Sequence, residues 1–140
     1  MPVEDVARTG VVTAHRDQSA GNLATVMKEE NVGSVVVIDE DRPVGIVTDR
    51  DLVLDVLEPR GDPSAVTAGE IMTETPVHVT VDAGIFEAIR VMRDHSVRRL
   101  PVVDSEETLA GIVTLDDLVV MLADELDNLA AVVEAESPPY

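Results

Sequence analysis

Two short stretches of this chain have residue types and spacing that could do chemistry: Thr48-Asp49-Arg50-Asp51 and Thr114-Leu115-Asp116-Asp117. Each follows an apolar, β-type run and opens a helical pattern, so each sits at a strand-to-helix junction. A helix N-terminus carries unpaired N–H groups and a partial positive charge, which attract phosphate. The Thr hydroxyl can add a bond to a phosphate or sugar oxygen. An ionised Asp only accepts, which suits a ribose diol that donates twice. Gly45 and Gly111 let a ligand or strand come close. The same residues also approximate a capping box, in which Thr accepts from an early helix N–H and the acid bonds back. That arrangement stabilises a helix by about 1 kcal/mol and implies no ligand. Residue types alone leave both readings open; duplication of the arrangement favours the ligand.

Arg98-Arg99 adds to the ligand reading. At the matching offset the pair replaces Gly33-Ser34. Two arginines on a buried-type strand require an anion or an acidic partner. An internal ion pair is the alternative in so acidic a chain. Other chemistry has little support. His15, His78 and His95 lie in different elements without ligand spacing, so a zinc site is not expected. His95 ends a helix, where a cation is favourable. No Ser or Cys stands in a nucleophile elbow, and no enzyme is expected. Asp116-Asp117 could help hold Mg²⁺ with a nucleotide, or could simply be solvated.

These candidates belong to a duplicated unit. Gly45-Ile46-Val47-Thr48-Asp49-Arg50-Asp51-Leu52 recurs as Gly111-Ile112-Val113-Thr114-Leu115-Asp116-Asp117-Leu118, 66 positions on (111 − 45). Upstream the spacing is 65: Val3-Glu4-Asp5-Val6 matches Ala68-Gly69-Glu70-Ile71, and Val37-Ile38-Asp39 matches Val102-Val103-Asp104. The one-residue slip falls between Asp39 and Gly45, where a turn can absorb it. Two copies imply a pseudo-symmetric pair rather than a solenoid, with two equivalent clefts and a shared interface.

Each copy reads as β-α-β-β-α. A helical turn (Val3–Ala7, Ala68–Met72) precedes an extended stretch (Gly10–Thr13, Pro76–Val81). An amphipathic helix follows, about Ser19–Glu30 and Ala83–His95, with Ser19 and Asp82 as N-caps. Ser34–Ile38 and Leu100–Val103 are β-branched runs typical of buried strands. Polar turns lead to Val44–Val47 and Ala110–Val113, and a second helix begins after Thr48 or Thr114. Neither unit can close a core alone, so the two should pack face to face. Met27, Met72, Met92 and Met121 are core fillers on this reading. The last helix runs from Asp116 to about Glu134. Its Leu115, Leu118, Val119, Leu122, Leu126, Leu129 and Val133 recur at intervals of three and four, an overhang that serves a partner or a second copy. The boundaries are 1–60 for the first repeat, 61–66 for the linker, 67–136 for the second repeat and 137–140 for a frayed tail.

Composition sets the class. The chain has 140 residues, 45% hydrophobic and only 1% aromatic, so a folded core must be built from Val, Ile, Leu, Ala and Met. No apolar run approaches the roughly 20 residues that span a bilayer. No basic-then-apolar leader opens the chain and there are no cysteines, which fits a cytoplasmic protein. Ten basic residues against 28 acidic ones give −18, and Lys28 is the single lysine. Such a field repels nucleic acid and anionic membranes. It strains the fold unless salt screens it; the Debye length is about 3 Å at 1 M. The balance fits a protein of a salt-accumulating microbe, with an ordinary acidic protein as the alternative.

The chain resembles a tandem pair of CBS domains, also called a Bateman module. The resemblance rests on the Gly-hydrophobic-hydrophobic-Thr-x-x-Asp-Leu motif at 45–52 and 111–118. Val-Glu-Asp-Val at 3–6, Met72-Thr73-Glu74-Thr75-Pro76-Val77 and Val97-Arg98-Arg99-Leu100-Pro101-Val102-Val103-Asp104 also carry it. It implies an α/β fold in which two repeats pack as a pseudo-two-fold pair through their small sheets. It also implies a homodimer in the form of a flat disc, and clefts between repeats that take AMP, ADP, ATP or S-adenosylmethionine as regulatory ligands. By position, Asp51 and Asp117 would bind ribose, and Thr48 and Thr114 ribose or phosphate. Arg98 and Arg99 would reach phosphates, Arg50 substituting in the first repeat. The backbone around Val11 and Val77 would frame adenine, with Ser34 lining the first site. Arginines are missing at 33 and 34, and Asp116 stands where a small hydroxyl residue is common, so the two sites should be unequal. The implied function is a regulatory module that transmits occupancy to a protein partner. The alternative is a dimeric scaffold with vestigial sites.

Overall fold

A computed structural model describes residues 1–59, 61–74 and 77–138. Its elements are β1 (Thr13–Ala14), α1 (Ala20–Glu30), β2 (Ser34–Asp39), β3 (Arg42–Thr48), α2 (Asp49–Asp51), α3 (Ala68–Ile71), β4 (Thr73–Glu74), β5 (Val79–Thr80), α4 (Ile85–His95), β6 (Arg99–Val103), β7 (Leu109–Thr114) and α5 (Leu115–Glu136). One sheet has the order β1-β2-β3-β4 and the other β5-β6-β7. The first two strands of each sheet are parallel and the next pair antiparallel. This is the expected α/β pair of β-α-β-β-α repeats.

The hairpins show where the two spacings meet. Val37 faces Gly45 and Ile38 faces Pro43; Val102 faces Gly111 and Val103 faces Leu109. Each second strand therefore carries one extra residue, Val44 or Ala110, as a bulge at the same place. The first hairpin closes through Glu40 and Asp41, both at positive φ (51° and 65°), the pattern of a two-residue type I′ turn. The second is a residue longer, with Asp104 accepting from the Thr108 amide and Glu107 alone at positive φ (64°). The added residue lies in the turn, as the sequence requires.

The repeats are interwoven rather than merely stacked. Val3, at the chain start, is buried in the core of the second repeat with Val79, Leu100, Val113 and Leu118. Ala68, Ile71 and Met72 are buried in the core of the first with Leu23, Val35 and Val47. Each repeat's opening turn thus covers its neighbour. The bonds mirror one another across the near-diad. Ala20 N–H donates to the Val66 carbonyl as Ile85 N–H does to Met1; Ala68 N–H donates to Gln18 as Val3 N–H does to Ala83. β4 extends the first sheet beside β3, and Arg8 makes the equivalent bridge to Ile112 beside β7. This exchange buries both apolar turns without closing either repeat on itself.

Several elements differ from expectation. β1 and β5 are two residues long, because the chain leaves the parallel ladder at once to reach its helix. Asp82 does not cap α4. Its carboxylate accepts from the Thr80 hydroxyl at 2.7 Å, and Gly84 holds the N-cap position without a side-chain bond. Ser19 caps α1 as expected, accepting from the Asn22 amide. After α2 the chain winds wide over Leu52–Leu57, the Glu58 amide bonding back to Val53, so that of these six residues only Val56 is buried. In the linker, Pro63–Ala65 forms one tight turn capped by Asp62, and Val66 is buried. Met27, Met72 and Met92 are buried, and Met121 packs against the second core. Among the described residues no helix is long and apolar enough to cross a membrane.

Candidate functional site

The junctions form as the sequence implies, but they differ in detail. At the first, the Thr48 hydroxyl accepts from the Asp51 amide (3.3 Å) and the Asp51 carboxylate accepts from the Thr48 amide (2.8 Å). The capping box is closed and uses both side chains. At the second, the Thr114 hydroxyl accepts from the Asp117 amide (3.1 Å). The Asp117 carboxylate, however, is gripped by Arg8, whose Nη2 lies 2.7 Å and Nε 3.1 Å from Oδ1. The guanidinium holds the Asp117 carboxyl below the usual carboxylate range, against the opposing effect of burial, with Thr114 helping. Asp117 raises the pKa of Arg8 in return. The pair is lopsided: the Asp117 side chain is 14% exposed and that of Arg8 72%.

A cleft of about 350 Å³ opens between the repeats. Its lining includes Val11, Val12, Val32 and Ile112, together with Gly33, Ser34, Arg8, Arg98, Arg99, Thr114 and Asp116, and the Arg99 guanidinium reaches the Gly33 backbone. Three of the chain's nine arginines thus converge on one concavity of a molecule carrying −18. Arg98 makes a long, exposed bond to Asp116 (3.3 Å). Arg99 is half-buried and forms no ion pair among the described residues. A second groove of similar volume, lined by Val6, Arg8, Asp117, Val120, Met121, Asp124 and Glu125, lies across the Arg8 side chain.

Val11, Ser34, Arg98, Arg99 and Thr114 are therefore brought together in the cleft, and Asp117 is next to it behind Arg8. Thr48, Arg50 and Asp51 line none of these cavities. Arg50 is exposed, and its amide donates to the neighbouring Asp49 carboxylate. Val77 packs against the second core. The symmetry counterpart of the cleft would involve residues 75 and 76, which lie outside the described residues. Gly45 and Gly111 admit protein rather than ligand: a Cβ at Gly111 would stand 2.8 Å from the Arg8 carbonyl, and one at Gly45 would strike Met72. Sequence reasoning missed Arg8 and Asn31. Arg8 could have been found by asking which residue the exchanged opening turn lays beside Gly111.

The comparisons agree with this architecture. A family model described as CBS domain matches the chain twice, over residues 3–58 and 68–124. An uncharacterised protein of Methanopyrus kandleri is 41% identical over 117 residues, covering 83% of this chain and 60% of its own length. The chain thus spans less than two thirds of that relative. Hypoxic response protein 1 of Mycobacterium tuberculosis is 37% identical over 115 residues, covering 81% of this chain and 80% of its own length. The structure of Hypoxic Response Protein I with two coordinated zinc ions superposes with a TM-score of 0.76 at 34% identity, over 85% of this chain and 97% of that one. The CBS domain pair of protein MJ0100, in complex with 5′-methylthioadenosine and S-adenosyl-L-methionine, superposes with a TM-score of 0.78 at 25% identity, over 89% of this chain and 98% of that one. Among the described residues, no three His, Cys, Asp or Glu side chains are grouped as a metal ion requires.

Proposed function

This chain belongs to the CBS-domain family, and from that premise we propose that it is a regulatory binding module rather than an enzyme, its cleft taking an adenosine-containing ligand. The observation that carries the reading is the convergence of Arg8, Arg98 and half-buried Arg99 on one cleft with apolar walls. Clustered arginines in an acidic chain repel one another and suit a ligand that brings negative charge. Val11, Val12 and Ile112 give a base an apolar surface, while Thr114 and Asp117 supply the acceptors a ribose needs. A related pair binds adenosine-based ligands, which supports the class of ligand. AMP, ADP, ATP and S-adenosylmethionine are the candidates. A magnesium ion would arrive with the polyphosphate, since Asp116 and Asp117 already bond to arginines. Occupancy would reach a protein partner only through a difference in affinity between two states of the pair. A salt-rich cytoplasm fits the acidic surface.

The test is calorimetric titration of the full chain with AMP, ATP and S-adenosylmethionine in high-salt buffer. Saturable heat with at least one of them is the expected result; none with all three contradicts the reading.

One further feature supports a homodimer. Leu115, Val119, Leu122, Leu126, Leu129 and Val133 alternate at steps of four and three along α5, and all are exposed, Leu126 and Val133 at 66%. Leu118, between them, is buried. A seam of this spacing, with Leu at 115, 122 and 129 and Val, Leu and Val at 119, 126 and 133, suits a second copy. Leu126→Glu with Leu129→Glu should convert a dimer to a monomer in light scattering; a wild-type monomer would dismiss the dimer.

A further inference from the structure

Arg8 lines both the inter-repeat cleft and the groove that holds Asp117. Its backbone is fixed. The amide and carbonyl of Arg8 both bond to Ile112, each at 2.9 Å, and the carbonyl packs over Gly111. Its guanidinium, by contrast, is largely in water. The side chain can therefore turn while the backbone stays bonded to Ile112, and both concavities are within its lining. Asp117 is the opposite case: it is nearly covered and depends on Arg8 for the charged donors it now has. If Arg8 leaves, Asp117 keeps its bonds with Thr114 but loses both guanidinium donors, which a ligand's hydroxyls can replace. A sugar diol carries two.

Resting on the ligand reading above, we propose that Arg8 is the residue by which this cleft distinguishes phosphorylated from unphosphorylated adenosines. In the structure the Arg8 guanidinium is bonded to Asp117. A ligand with an anionic 5′ group offers the guanidinium a second bidentate partner beside Arg98 and Arg99. The arginine swings across, and Asp117 passes to the diol. A nucleoside with a neutral or cationic 5′ substituent must break the Arg8–Asp117 pair and gives the guanidinium nothing in exchange. The closed box at Thr48–Asp51 has no such device: its acid is held by its own cap, and Thr73 stands where the counterpart of Arg8 would be.

The experiment compares AMP with adenosine on the wild type, Arg8→Ala and Arg8→Lys, by calorimetry of the full chain in high-salt buffer. The two ligands should respond in opposite directions. Arg8→Ala should weaken AMP by about tenfold, the size expected of a lost charge-assisted bond. It should tighten adenosine, because Asp117 is released. Arg8→Lys, which keeps the charge but not the fork, should fall between. A thermal melt checks that the variants fold, which the unchanged backbone bonds of Arg8 favour. A parallel loss of both ligands would make Arg8 merely structural and overturn the proposal. So would AMP weakening while adenosine is unmoved, which makes Arg8 a simple phosphate contact, or no change with either. Failure of the wild type to bind AMP and adenosine alike would remove the ligand reading itself, and the proposal with it.

Discussion

At the first junction Thr48 and Asp51 satisfy each other, whereas at the second Thr114 keeps its half of the exchange and Asp117 has turned to Arg8. The four-residue pattern is the same in both. What differs is the segment laid beside it. The exchanged turn of one repeat ends at Thr73, that of the other at Arg8. At the second junction that segment supplies a cation, which binds the Asp117 carboxylate in addition to Thr114. At the first it supplies a neutral residue, and Asp51 is occupied in holding a helix start. The same asymmetry runs through the next strand, where Gly33-Ser34 and Arg98-Arg99, matched by position, line one cleft together. Duplication has brought unlike residues from matching positions to a single concavity.

The largest effect that would break this comparison is on affinity. Asp117→Ala should weaken AMP at least about tenfold, the scale of a lost bond to a charged group, while Asp51→Ala leaves it within about twofold. Calorimetry on the two variants side by side decides it; equal losses would erase the distinction.

Stability should show the reverse order. Thr48→Ala removes a cap bonded to Asp51 and should cost about 1 kcal/mol, read as a lower urea midpoint at constant slope. Its AMP affinity should not change. A cost near zero would mean that the wide turns over Leu52–Leu57 hold the helix start unaided.

Acid unfolding sharpens the second junction. The folded-state pKa of Asp117 is depressed chiefly by Arg8. Its ionic contribution is therefore fully present above the unfolded value, about pH 4, and is lost as pH falls through the lower folded value. The stability gap between wild type and Asp117→Asn should hold at neutral pH and shrink below about pH 4. A gap that widened on acidification would contradict the assigned pair.

The smallest effect should come from Arg98→Gln. Its bond to Asp116 joins side chains 65% and 82% exposed, so the melting temperature should barely move. AMP should weaken, but less than with Arg99→Ala, since Arg99 is half-buried and forms no ion pair among the described residues.

Much of the fold was legible because it rests on local pattern. The β-branched runs, Ser19 as a cap and the slip of one residue in the hairpin each follow from a short stretch of chain. The exchange of opening turns was not legible, since Val3-Glu4-Asp5-Val6 looks alike whether it covers its own repeat or the other. Asp82 misled for a related reason: it has cap chemistry, but Thr80, two residues back, claims its carboxylate. In the candidate site, Arg98, Arg99 and Thr114 were readable from strand and motif. Arg8 was not, because its role comes from a residue 109 positions away. Asp51 and Asp117 were given one role on one motif, and only their neighbours separate them.

Amide chemical-shift mapping with AMP in high-salt buffer decides whether an adenosine phosphate is held by the second junction together with the first repeat's Gly33-Ser34, and not by the first junction. Saturable shifts are expected at Gly33, Ser34, Arg99, Thr114 and Asp117, with Asp51 and Leu52 unmoved; shifts centred on Asp51 and Leu52, or none that saturate, rule that placement out.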